Sequence, residues 1–268
     1  MKNTLYLECL SGISGDMMVA ALLDLGADEK CLREGLESLP VEGFRIEISR
    51  VKKSGLDACD FCVVLDEEHE NQDHDMEYLH GHSDEYHHPH DHTHYHAHRG
   101  FTEICEIIDN STITEHAKIL AKKTFEIMAQ AEAKAHGLPQ NQVHFHEVGA
   151  VDSIVDIIAS AICIDNLGLE EVIVPELYEG RGTVRCQHGV LPIPVPAVVN
   201  IVEKYQVRLH MTDVAGELVT PTGAAIVAAI RTTEQLPESF YIKRIGLGAG
   251  KREYKTAGIL RAMLIERK

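Results

Sequence analysis

From Asp66 to His98 the chain carries ten acidic residues, eleven histidines and no Lys or Arg, and it loses all hydrophobic periodicity. Such a stretch cannot bury enough apolar surface to offset the entropy of ordering its backbone, so it is expected to be a disordered insertion. A fold therefore has to be built from the residues on either side, as a single domain spanning 1–268 that is interrupted at 66–98. At 268 residues and 44% apolar content the remainder is ample for a packed core.

Those flanks alternate strand and helix signals. Thr4 to Cys9 reads as a strand and Met17 to Leu25 as an amphipathic helix. A second helix, Asp28 to Leu39, stops at Pro40, and strands Phe44 to Val51 and Leu56 to Leu65 join at a KKSG turn. Beyond the insertion, Phe101 to Asn110 and Thr112 to His136 are helical, the latter closed by Gly137 and Pro139. Glu171 to Val174 is a strand, followed by a long shaped loop rich in Gly and Pro. Helices then begin at Ala197 and after Pro221, and strands Phe240 to Leu247 and Gly258 to Glu266 close the chain. The expected class is α/β, in a mixed α+β form.

Charge and cysteine usage remove several function classes. The formal charge is −17, and the insertion alone accounts for ten of those negative charges. A nucleic-acid partner is excluded on that ground, since phosphate binding needs a basic surface. No segment reaches the ~18 to 20 apolar residues of a membrane span, and MKNTLYLECLSGISGD lacks a signal-peptide core, so no membrane role and a cytoplasmic location are expected. Seven irregularly spaced cysteines do not form a disulfide framework. Cys59 and Cys62 fall in a strand-like context, DACDFCVVL, where positions i and i+3 face opposite sides, which favours a structural role over a redox or zinc role.

The densest chemistry lies in Val143 to Asp156, VHFHEVGAVDSIVD. In an extended segment His144 and His146 point the same way beside Glu147, a donor set suited to one metal ion. From Ala150 the apolar residues Val151, Ile154, Val155, Ile158 and Ile162 recur at helical spacing, which sets Asp152 and Asp156 one turn apart on one flank. The bland alternative is a capped core helix beside solvated histidines.

Three other segments read as anion or ligand sites. In LSGISGD, between the first strand and helix, Gly12, Ser14 and Gly15 suit a phosphate at a helix N-terminus. Asp16 would repel a bare phosphate and accept a metal-bridged one. GELVTPTG presents Glu217, Thr220 and Thr222 ahead of another helix, and GLGAGKREY places Lys251 and Arg252 beside glycines. His188, before Gly189, is a candidate acid/base. Within HHPHDHTHYHAH, residues such as His90, His92, His94 and His96 offer neutral imidazoles that bind borderline divalent metals, so the insertion reads as a metal-collecting arm.

Together LECLSGISGDMMVAALLDLG, VHFHEVGAVDSIVDI, HGVLPIPVPA, GELVTPTGAAI and GLGAGKRE with ILRAML occur in the order of a known family. The chain resembles the LarC-type nickel-insertion proteins of nickel-pincer cofactor biosynthesis, from Leu7 to Leu264 and including the His-rich insertion. Glu8 and Gly258 stand where the family usually has Asp and Asn. The resemblance implies a nickel chelatase, or cyclometallase, of the lyase class. Its substrates would be Ni(II) and pyridinium-3,5-bisthiocarboxylic acid mononucleotide, with CTP and Mn(II) or Mg(II), and its product would serve lactate racemase. It also implies a further C-terminal domain, sometimes a separate chain, and a homo-oligomer is expected. On this reading His144 and His146 take the metal, Glu147 acts as base, Asp16 and Asp152, with Asp156 beside them, hold a second ion or its waters, and the glycine loops hold the mononucleotide phosphate. A metallochaperone or metal store working through the arm is the alternative.

Overall fold

The computed structural model describes residues 3–66, 100–140, 151–186 and 189–267. The arm with His90, His92, His94 and His96, the segment with His144, His146 and Glu147, and His188 lie outside the described residues. The described part opens with β1 (Asn3–Glu8), α1 (Gly15–Leu25), α2 (Glu29–Glu37), β2 (Phe44–Lys53) and β3 (Leu56–Leu65). Three helices follow, α3 (Phe101–Asp109), α4 (Glu115–His136) and α5 (Val151–Asn166), then β4 (Leu169–Ile173), β5 (Leu177–Arg181), β6 (Thr183–Cys186) and β7 (Gly189–Pro192). The chain continues through α6 (Pro196–Tyr205), β8 (Leu209–Ala215), α7 (Pro221–Ile230), β9 (Phe240–Ala249) and β10 (Ile259–Arg267). The class is α/β, as the alternation predicts.

Six strands form one mixed sheet in the order β2-β3-β9-β10-β1-β4. β1 sits inside it, antiparallel to β10 and parallel to β4, and its alternation sorts the two faces. Leu5 and Leu7 join Leu260, Ala262 and Leu264 in the main core under the helices, while Tyr6 packs with Ile173, Met263 and Ile265 on the opposite face. Between β2 and β3, Ser54 and Gly55 both take positive φ (50° and 82°), the conformation of a tight hairpin whose twist matches its strands.

Helix α1 lies directly on β9. A Cβ on Gly246 would stand 2.2 Å from the Ala21 carbonyl oxygen, and one on Gly248 only 2.1 Å from that of Met17, so these glycines exist for backbone-to-backbone packing. Asp24 of α1 ties the contact to the β2–β3 hairpin: it accepts the Leu247 N–H at 2.8 Å and pairs with Arg50. The stripe Val151, Ile154, Val155, Ile158 and Ile162 of α5 is buried as its spacing predicts.

Two expectations need correction. The segment after Val174 is not one shaped loop, because it holds β5, β6 and β7, and β8 has no counterpart in the sequence reading. These strands are only four to seven residues long, and Gly180, Gly182 and Gly189 interrupt three of them or their borders, leaving too few alternating positions to register as a period. They form two small sheets, β5 parallel to β8 and β6 antiparallel to β7.

Candidate functional site

The turns that lead into α1 and α7 are far apart in sequence and interlocked in space. The Ile13 N–H donates to the Leu218 carbonyl at 2.9 Å, and the Thr220 N–H donates to the Ile13 carbonyl at 3.1 Å. Neither turn tolerates a side chain at the crossing. Gly12 has φ +83°, and a Cβ there would lie 2.0 Å from the Leu218 oxygen, while one on Gly223 would lie 2.3 Å from the Ile13 oxygen. Gly12 thus accommodates Leu218 rather than the close approach of a ligand expected from its position. The consequence is that two helix N-termini, each a concentration of unsatisfied N–H groups, are brought together.

They are satisfied differently. Thr220 caps α7 with its own hydroxyl, which accepts the Gly223 N–H at 3.1 Å, and Pro221 occupies the first helical position. Ser14 stands at the same place before α1 but makes no side-chain bond to the helix backbone; its hydroxyl donates to the Asp16 carboxylate. The group that meets this terminus is the Asp156 carboxyl, reaching across from α5. A Cβ on Gly15 would lie 2.5 Å from the Asp156 Oδ2, and the Asp156 carboxylate is hydrogen-bonded to the backbone of Asp16. Gly15 is therefore required by a carboxylate of the protein itself.

Burial, then the charges of Asp16 and Asp152, push the Asp156 carboxyl well above the usual carboxylate range, against the pull of Lys251. Asp16 is raised as well, chiefly by burial, with the Ser14 hydrogen bond and Lys251 opposing. Two carboxyls raised in this way either hold a proton between them or accept a cation, and oxygen donors of this kind suit a hard divalent ion. Burial pulls the Lys251 ammonium down, but its 2.6 Å bond to Asp60, reinforced by Asp16 and Cys62, more than restores it. Arg252 donates to the Glu217 carboxylate at 2.9 Å and to its carbonyl at 3.1 Å, and the Tyr254 hydroxyl donates to the same carbonyl at 3.1 Å. Both cations thus come from the β9–β10 connection and are held by carboxylates.

Of the residues singled out from sequence, Ser14, Gly15, Asp16, Asp152, Asp156 and Lys251 converge on the α1 terminus, and Gly12, Thr220, Thr222 and Arg252 belong to the adjoining turn and its clamp. Among the described residues no group of three or more His, Cys, Asp or Glu is placed to hold a metal ion. In sequence, residues 141–150 with their histidines immediately precede the first turn of α5, which carries Asp152. Three participants escaped the sequence reading: Asp60, Glu179 and Tyr254. The only signal for Asp60 is a charge set between Cys59 and Phe61 in the strand β3. Cys59 is buried, with its thiol pushed up to about 11, and Cys62 is half-buried, so neither has the lowered pKa of a reactive thiol.

A family model described as nickel insertion protein matches residues 5–268. A relative from Alkaliphilus metalliredigens, called pyridinium-3,5-bisthiocarboxylic acid mononucleotide nickel insertion protein, is 56% identical over 99% of this chain and 61% of its own length. One of the same name from Acetivibrio thermocellus is 36% identical over 97% of this chain and 60% of its own, and a putative nickel insertion protein from Dictyoglomus thermophilum is 35% identical over 98% and 61%. The chain spans about three fifths of the length of these curated relatives. No solved structure matches it.

Proposed function

The chain belongs to the nickel insertion protein family, and from that membership we propose that it inserts Ni(II) into pyridinium-3,5-bisthiocarboxylic acid mononucleotide as a nickel chelatase of the lyase class. The observation that carries this reading is convergence: the turn before α1, the turn before α7, the first turn of α5 and the β9–β10 connection, four segments scattered over the sequence, meet at one place. The residues immediately before α5 are the His144, His146 and Glu147 segment.

His144 and His146 are assigned to the nickel being inserted, because neutral imidazole suits this borderline ion. Forming a carbon–nickel bond on the ring releases the ring proton, and Glu147 is assigned as the base that takes it, with His188 as a second acid/base. Asp16 and Asp152, with Asp156 beside them, are assigned to the waters of a Mn(II) or Mg(II) ion, the ion that would accompany CTP. Such an ion lets an anionic phosphate approach the α1 terminus, which Asp16 and Asp156 otherwise repel. Ser14, Gly15, Thr220, Thr222, Lys251 and Arg252 are assigned to the phosphate side of the mononucleotide. The arm, through His90, His92, His94 and His96 among others, collects metal for the site. The wider reading places the protein in the cytoplasm as a homo-oligomer, with a separate C-terminal chain where one is needed, supplying the lactate racemase system.

The test is direct. The chain is incubated with the mononucleotide, Ni(II) and CTP, with and without a separate C-terminal domain, and the nickelated product is sought by mass. Product is expected, and it should vanish when His144 and His146 are both replaced by Ala in a protein that still melts cooperatively. A folded, fully active double variant would overturn the assignment. Deleting 66–98 should leave insertion intact at higher nickel, whereas a metal store would lose its function entirely.

A further inference from the structure

Glu179 of β5 is fully buried, at 0% exposure, and forms no ion pair among the described residues. One of its oxygens, Oε1, accepts three backbone N–H groups: those of Gly180 and Leu218 at 2.7 Å and that of Val219 at 3.2 Å. The other, Oε2, is buried and has no hydrogen-bond partner among the described residues. Burial raises this carboxyl above its ordinary range despite the three donors and the nearby Arg252 charge. An apolar or small residue would avoid that cost, so something retained by the fold depends on the acceptor.

What depends on it can be followed bond by bond. Leu218, held by Glu179 through its N–H, uses its carbonyl to accept the Ile13 N–H, and the Ile13 carbonyl in turn accepts the Thr220 N–H. Glu179 thereby sits behind both glycine turns. β5 is also pressed against the same segment, since a Cβ on Gly180 would lie 1.8 Å from the Gly216 oxygen, leaving no freedom for the turn to settle elsewhere without that glycine and its neighbouring acceptor. On the far side, Arg252 and Tyr254 clamp the Glu217 carbonyl. The 216–220 segment is thus fixed from β5 on one side and from the β9–β10 connection on the other.

We propose that Glu179 is a positioning residue of the site: its buried carboxylate oxygen sets the 216–220 turn against Ile13 and so fixes the N-termini of α1 and α7 relative to each other for binding of the mononucleotide. The catalytic consequence rests on the nickel-insertion reading, whereas the structural coupling does not. Glu179 touches no reacting atom, and it acts through the backbone of Leu218 and Val219.

Amide hydrogen exchange and insertion kinetics on the intact chain test the two halves. In Glu179→Ala, protection should fall by about tenfold or more at Leu218 and Val219 and also at Ile13 and Thr220, which Glu179 does not touch, with α4 and the β9–β10 pair unchanged. Glu179→Gln keeps an acceptor oxygen and should restore protection. In kinetics, Glu179→Ala should raise KM for the mononucleotide about tenfold with a smaller change in kcat, and Glu179→Gln should return KM to near the wild-type value. Unchanged exchange at Ile13 and Thr220, or no rescue by Gln, would overturn the coupling. Altered exchange with unaltered KM would overturn the positioning role. Where Glu179→Ala loses its cooperative melt, Glu179→Met, similar in volume and without an oxygen, takes its place under the same expectations. Absence of product from the wild-type chain would count against the nickel-insertion reading, while the exchange pattern would still decide the coupling.

Discussion

The two helix starts that meet at the site differ in how each is completed. α7 is self-sufficient: Thr220, Pro221 and Gly223, neighbours in sequence, supply the cap, the first-turn φ and the room. α1 has the corresponding glycines and a serine at the N-cap, but that serine turns to Asp16, and the helix end is met by Asp156 from a helix about 140 residues away. The difference teaches where charge can change. A helix end capped by a neutral hydroxyl is indifferent to pH, whereas an end completed by a half-buried carboxylate pair carries charge whose balance a proton or cation can change.

The largest expected effect breaks the interlock that the two ends share. Gly12→Ala places a Cβ on a left-handed residue and against the Leu218 carbonyl, and should destabilise the fold by about 2–5 kcal/mol in a denaturant melt. Next comes the α1 end alone. Because the folded-state pKa of Asp156 is raised, its favourable contribution is complete below the ordinary carboxylate range and is lost as pH rises through the raised value. Asp156→Asn should therefore melt higher than wild type at pH 8, by roughly 2–4 °C, with the gain shrinking toward pH 4. Adding Mg(II) or Mn(II) at pH 8 should narrow the gap by stabilising the wild type.

The α7 end should give a smaller effect that does not depend on pH. Thr220→Ala removes a cap and should cost about 1 kcal/mol at both pH values. The smallest expected change sharpens the contrast: Ser14→Ala, at the equivalent N-cap of α1, removes no cap bond but does remove a donor to the Asp16 carboxylate, so its cost, under about 0.5 kcal/mol toward pH 4 where that carboxyl takes up a proton, should grow toward pH 8 by the same melt. A loss at Ser14 equal to that at Thr220 and as independent of pH would mean that the two ends are capped alike after all.

What the sequence by itself determined was local. The alternation of Leu5 and Leu7 with Tyr6, the stripe on α5 from Val151 to Ile162, the stops after α2 and α4 and the Ser54-Gly55 hairpin are encoded in neighbouring residues, since period, capping and turn chemistry act over a few positions. Spacing alone sets Asp152 and Asp156 on one flank of α5. Tertiary structure decided what each segment's residues are for. Gly12 and Gly223 make room for each other's turns, Gly246 and Gly248 seat α1, Gly15 makes room for Asp156, and Glu179 holds a turn with which it shares no sequence signal. A glycine in a sequence states only that a side chain is absent, and a carboxylate only that an acceptor is present; which group fills the space or donates the bond is set by non-local packing, where chain separation carries no information.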